Sequence, residues 1–132
     1  MEPVAPIPRD RADLCPGARR AHVAADGAIG RLRFPGGLLP APGFEVLADL
    51  ADNFGDGDIH FTSRGNVQIR GIRDVSGFAD AAEEAGMLPY PEHDRVRNIL
   101  MSPMTGRVGG LTDVSELVQD FDAALCSDEA LA

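Results

Sequence analysis

His60, Thr62, Arg64, Asn66, Gln68 and Arg70 crowd hydrogen-bonding side chains into one short stretch of this 132-residue chain. Gln68 and Arg70 alternate with Val67 and Ile69, and His60 and Thr62 alternate with Ile59 and Phe61. Alternation of period two puts the polar residues on one side of a strand and the apolar residues on the other. Arg64, Gly65 and Asn66 stand where the chain must reverse. A surface of guanidinium and amide donors suits an anionic, oxygen-rich ligand, because arginine forks hold carboxylates and phosphates by paired hydrogen bonds. The plainer alternative is an ordinary hairpin whose outer face is polar because it meets water.

The pairing register follows from keeping the two faces apart. A two-residue turn at Arg64-Gly65 would pair Thr62 with Val67 and mix polar with apolar. A three-residue loop, Arg64-Gly65-Asn66, pairs Thr62 with Gln68, Phe61 with Ile69 and His60 with Arg70. Such loops need a left-handed position, which Gly or Asn supplies. The three-residue loop is therefore the expected one.

Other candidate groups lie upstream and downstream. From Ala28 to Phe34, Ala28, Gly30, Leu32 and Phe34 alternate with Ile29, Arg31 and Arg33, a strand pattern ended by Pro35-Gly36-Gly37. Its Arg31 and Arg33 side would either meet water or extend the hairpin's polar face. Arg97-Asn98 could add a third arm, and His60 and His93 could carry protons. Cys15 and Cys126 stand far apart and outside any CxxC pattern, so free thiols are the expectation. The spacing shows no nucleophile–base pair, metal cage or phosphate-binding loop, and Gly36-Gly37 lacks the dinucleotide glycine spacing.

The elements that must hold these residues are legible in outline. Phe44, Leu47, Leu50, Ala51 and Phe54 form a helical stripe across 43–54, and Gly55-Asp56-Gly57 ends it. Ser76 is a plausible N-cap for a second helix with Phe78, Ala81, Ala82 and Ala85 inward and Gly86 closing it. Val96 to Met101 reads as a further strand. Asp113 with Glu116 opens a helix striped by Val114, Leu117, Val118, Phe121 and Leu125. The order β-α-β-β-α predicts an α+β class, a ferredoxin-like split unit with an antiparallel sheet and both helices on one face. Expected limits are a flexible, Pro-rich tail over 1–13, the half-domain over 14–90, and over 91–132 the beginning of a second α/β domain, cut short.

Composition narrows the partners. Net charge is −9, with six Arg against four acidic residues in 1–40 and six Arg against seventeen in 41–132; Lys is absent. So acidic a chain with 5% aromatic residues is a poor nucleic-acid binder. No apolar run approaches the roughly 20 residues that span a bilayer, and no signal-peptide pattern opens the chain, so a cytoplasmic location is expected.

The segments Asp26-Gly27, Arg33-Phe34-Pro35-Gly36-Gly37, Thr62 to Gly71 and Arg97-Asn98-Ile99 resemble, in the same order, the nitrite/sulfite reductase family. The T-x-R-x-x-x-Q hairpin followed by R-N carries most of that resemblance. It implies the family's ferredoxin-like half-domain followed by the start of its sirohaem and iron–sulfur domain. It implies a carboxylated tetrapyrrole, precorrin or sirohaem, with Arg64 and Arg97 clamping carboxylates. Arg33, Asn66, Gln68, Arg70 and Asn98 join them as ring-binding residues, Arg70 at a position that varies within the family. Cys15-Pro16-Gly17, the run Ala24 to Gly37 and the run Arg97 to Arg107 most resemble the family's precorrin-3B synthase branch. That branch implies oxygen-dependent hydroxylation and lactone formation on precorrin-3A in aerobic cobalamin biosynthesis, with a [4Fe–4S] cluster and an electron donor. The family's cluster cysteines are not in this chain, so the resemblance implies an N-terminal fragment without turnover of its own. A sirohaem-containing sulfite or nitrite reductase fragment and a non-catalytic ferredoxin-like binding module are the alternatives.

Overall fold

A computed structural model describes residues 14–132; the tail expected over 1–13 lies outside the described residues. Four strands, β1 (His22–Ala24), β2 (Gly27–Leu32), β3 (His60–Phe61) and β4 (Val67–Ile72), form one antiparallel sheet in the order β1-β2-β4-β3. Helix α1 (Pro42–Phe54) and helix α2 (Val75–Glu84) separate and follow the two hairpins, and α3 (Ser115–Ser127) comes near the end of the chain. The α+β, ferredoxin-like arrangement expected from the residue pattern is present.

One face of the sheet is the core. Ala28, Leu32, Val67, Ile69 and Ile72 pack against Leu47, Leu50 and Ala51 of α1 and Phe78, Ala79 and Ala82 of α2. Gly30 lets α2 approach, since a β-carbon there would lie 2.6 Å from Phe78 Cε1. Each large side chain so buried contributes on the order of 1.5–3 kcal/mol by leaving water. The opposite face carries Ile29, Arg31, Gln68 and Arg70, as the alternation requires; Arg33, one residue past β2, is buried.

Several local expectations need correction. Strand β1 was not foreseen; three residues are too short to show a period, although Asp26-Gly27 marked its turn. The expected N-cap Ser76 is instead Asp74, whose carboxylate accepts the Gly77 N–H. Asp113 accepts the Ser115 N–H and hydroxyl, and α3 begins at Ser115. Val96–Met101 is not a strand: its backbone bond to another element is Gly36 N–H to Ile99 O, and no ladder forms. A strand needs a partner edge, and an apolar run alone does not supply one.

The hairpin register also differs. His60 pairs with Gln68 and Phe61 with Val67. Thr62 N–H donates to Asn66 O, which leaves Ser63-Arg64-Gly65 as the three-residue loop. Gly65, not Asn66, takes the left-handed position at φ 67°. The Thr62 hydroxyl accepts the Arg64 and Asn66 amides and fixes this choice. The offset from the expected register is two residues, so the division of side chains between faces survives.

Candidate functional site

The helix-free sheet face is built from β2 and β4. Arg31 and Gln68 are register partners, and Arg31 donates to Gln68 Oε1 through Nε at 3.1 Å and through Nη2. Arg31 Nη1 also points to Cys15 Sγ at 3.4 Å. One step along β4, Arg70 pairs with Asp26 Oδ2 at 3.3 Å, both half-exposed. Arg64 stands exposed at the hairpin tip, its side chain without a partner among the described residues.

The tip is held in place by the turn after β2. Gly36 and Gly37 both have positive φ, and a β-carbon on Gly65 would lie 3.1 Å from Gly37 Cα. Only glycine permits such backbone contact at left-handed positions. Asn66, 1% exposed, accepts the Phe34 N–H at Oδ1 and donates from Nδ2 to Asn98 Oδ1.

The remaining arginines turn inward. Arg33 is 3% exposed and reaches Asp94 Oδ2 at 3.5 Å, Pro16 O at 3.1 Å and Cys15 Sγ at 3.3 Å. Arg97 holds Asp122 of α3 by two 2.8 Å hydrogen bonds and lies over the Tyr90 ring. Burial pulls the Arg97 guanidinium down, but the hydrogen bond and charge of Asp122 outweigh it and hold it above its usual value. Burial raises the Asp94 carboxyl, against the opposing pull of the Ala18 amide, Arg33 and Arg97. His93 is buried with Nε2 3.0 Å from Asp128 O, and His60 lies 3.9 Å from Asp56.

The residues singled out in the sequence thus fall into two groups. Gln68 and Arg70, joined by Arg31, line the helix-free face, and Arg64 stands exposed at the hairpin tip. Arg33, Asn66 and Arg97 are buried and bonded to protein, although Arg33 Nε has no partner, and exposed Asn98 bonds to Asn66. Sequence reasoning missed the anchoring roles of Asp94 and Asp122; both partners are remote in sequence, and no local pattern marks them.

The donor set does not fit an iron–sulfur cluster. Such clusters take four thiolates as a rule. The chain has two cysteines; Cys15 faces two guanidinium groups, and burial with the Asp122 charge raises the Cys126 thiol. Among the described residues, Asp56, Asp58 and His60 bring ligand atoms within 4.8 Å of one another, a common arrangement of exposed side chains. No described helix is long and apolar enough to cross a membrane.

Residues 22–85, spanning β1 through α2, match the nitrite/sulfite reductase ferredoxin-like half domain. This segment belongs to the nitrite/sulfite reductase family. The half domain and its flanks are similar to the ferredoxin–nitrite reductase of Leptolyngbya laminosa, 37% identical over 92 residues, 67% of this chain and 17% of the relative. They are similar also to that of Synechococcus elongatus, 33% over 96 residues, 69% and 19% of the two chains. A precorrin-3B synthase from Sinorhizobium sp. is 36% identical over 66 residues, 50% of this chain and 14% of the relative. The chain therefore spans less than a fifth of the length of these curated relatives. No solved structure gives a significant match.

Proposed function

We propose that the half domain forms one wall of a tetrapyrrole cradle in an oxidoreductase, with a carboxylate-fringed ring lying against the helix-free sheet face. The observation that carries this reading is the chemistry of that face. Arg31, Gln68 and Arg70 present N–H donors from a rigid sheet, and Arg64 adds an uncommitted guanidinium at the rim. Charge-assisted forks of this kind recognise carboxylates well. Arg33, Asn66, Arg97 and Asn98 support the wall from behind in this reading.

The substrate assignment is of the precorrin-3B synthase type, with a precorrin as the ring and hydroxylation with lactone formation as the reaction of the full enzyme. The resemblance of Cys15-Pro16-Gly17 and the Arg97–Arg107 run to that branch supports it. The longer matches to ferredoxin–nitrite reductases favour a second reading, in which the ring is sirohaem, a resident cofactor that carries electrons. In either case a [4Fe–4S] cluster would need ligands beyond Cys15 and Cys126.

The wall can be tested by titrating uroporphyrin, an octacarboxylate, into the full chain. Arg64→Ala and Arg70→Ala should each weaken binding about tenfold, the ~1.4 kcal/mol expected for loss of a charged hydrogen bond. Equal affinity in both variants and the parent would count against the wall. Sirohaem absorbance in the purified protein would decide for the second reading.

A further inference from the structure

Asn66 sits where three parts of the chain meet. Its Oδ1 takes the Phe34 N–H at 3.3 Å, and its Nδ2 reaches Asn98 Oδ1. Its backbone N–H donates to Thr62 Oγ1 at 3.2 Å and its carbonyl accepts the Thr62 N–H at 2.9 Å. The amide orientation is fixed by chemistry: a backbone N–H can only donate, so the atom facing Phe34 is the oxygen. Both ends of the amide bind protein and the residue is 1% exposed, so it is not presented to a ligand. Meanwhile Gly65 rests on Gly37, and the exposed Arg64 side chain beside it has no partner among the described residues.

We infer that Asn66 is a positioning residue: it ties the hairpin tip to the Phe34–Gly37 turn and the Asn98 segment, and so aims Arg64 at the ring-binding face. This rests on the proposed reading of that face. A fork on an exposed tip binds well only if its backbone is already fixed, since ordering it on binding would subtract from affinity. The Asn66 links fix it in advance.

The experiment uses the full chain, with uroporphyrin titration and, without ligand, amide hydrogen exchange. Asn66→Ala should bind more weakly by up to the tenfold expected of Arg64→Ala, and should speed exchange at Phe34 and Gly65 at least tenfold. Asn98→Ala, which removes one exposed partner and leaves the fold intact, should weaken binding about threefold. Asn66→Asp keeps the acceptor for Phe34 and lets the Asn98 amide turn to donate, so Gly65 exchange should stay within twofold of the parent. The Asn66→Ala, Arg64→Ala double variant should bind within twofold of Arg64→Ala alone, because the first residue acts through the second. Losses that multiply in the double variant would overturn the inference, as would parent-like Gly65 exchange in Asn66→Ala and Asn98→Ala. If the tip loosens but Arg64→Ala binds as tightly as the parent, the ring-binding reading fails while the ordering of the tip by Asn66 stands.

Discussion

Asp94 shows how one side chain can set a pH response. It is 4% exposed; Oδ2 receives the Ala18 N–H at 3.0 Å and faces Arg33, whereas Oδ1 is buried without a hydrogen bond. Burial disfavours the charged form, so the folded protein holds this proton to higher pH than the unfolded chain does. The folded value is raised above 3.8, so Asp94's contribution to stability is full below that pH and is lost as pH rises through the folded value. Subtracting the urea stability of Asp94→Asn from that of the parent, at pH values from about 3 to 7, should give a difference that falls with pH. A flat or rising difference would contradict the assignment. The neighbouring Arg33 marks the reach of sequence reading. Alternation put it beside Arg31 on an open side, but Cys15, Pro16 and Asp94 bury it, and they come from distant segments that no local spacing reveals.

At the scale of elements, the hairpin tip and α2 give a controlled comparison. Gly65 and Gly86 both have positive φ, but only Gly65 faces a neighbour; a β-carbon on Gly86 meets nothing within 4 Å. Alanine in a left-handed position costs roughly 1–2 kcal/mol by itself. Gly86→Ala should lose about that much stability in urea, and Gly65→Ala about 1 kcal/mol more, because Gly37 must move. Equal losses would show that the tip yields freely. Helices α1 and α2 were legible because their apolar stripes repeat over three turns, whereas β1 is three residues long. The hairpin's faces were legible and its register was not. Two registers offset by two residues satisfy the same alternation, and the Thr62 hydroxyl chooses between them.

For the whole molecule, α3 is joined to the rest of the described chain by apolar and polar contacts, with Asp128 O meeting His93 Nε2 just past its end. Val118 packs near Gly36, and Asp122 takes the Arg97 fork across a nearly buried pair. Removing one partner of such a pair strands the other, at about 3–5 kcal/mol. Asp122→Ala should lower stability by roughly that amount, and limited proteolysis should then cut between α2 and α3 first. Undiminished resistance between those helices would show that α3 is held by something else. The outer side of this region leaves Leu117 at 66%, Phe121 at 53% and Leu111 fully exposed. Apolar surface of that extent favours association. The full chain should self-associate at high concentration, and Leu117→Glu with Phe121→Glu should abolish this in sedimentation velocity. A monomeric parent at every concentration would contradict it.

The bond between Arg31 and Gln68 has a consequence for selectivity. It occupies the lone pairs of Gln68 Oε1, so Arg31, Gln68, Arg64 and Arg70 extend protons, and the neighbouring Asp26 carboxylate is drawn into the Arg70 pair. In the proposed cradle, such a surface would discriminate by the chemical state of a ring's substituents. Ionised carboxylates would be welcomed, while amidated or esterified arms, lacking charge and in part bringing donors of their own, would be turned away. The face would then distinguish an early, unmodified macrocycle from a later, decorated one before any chemistry began.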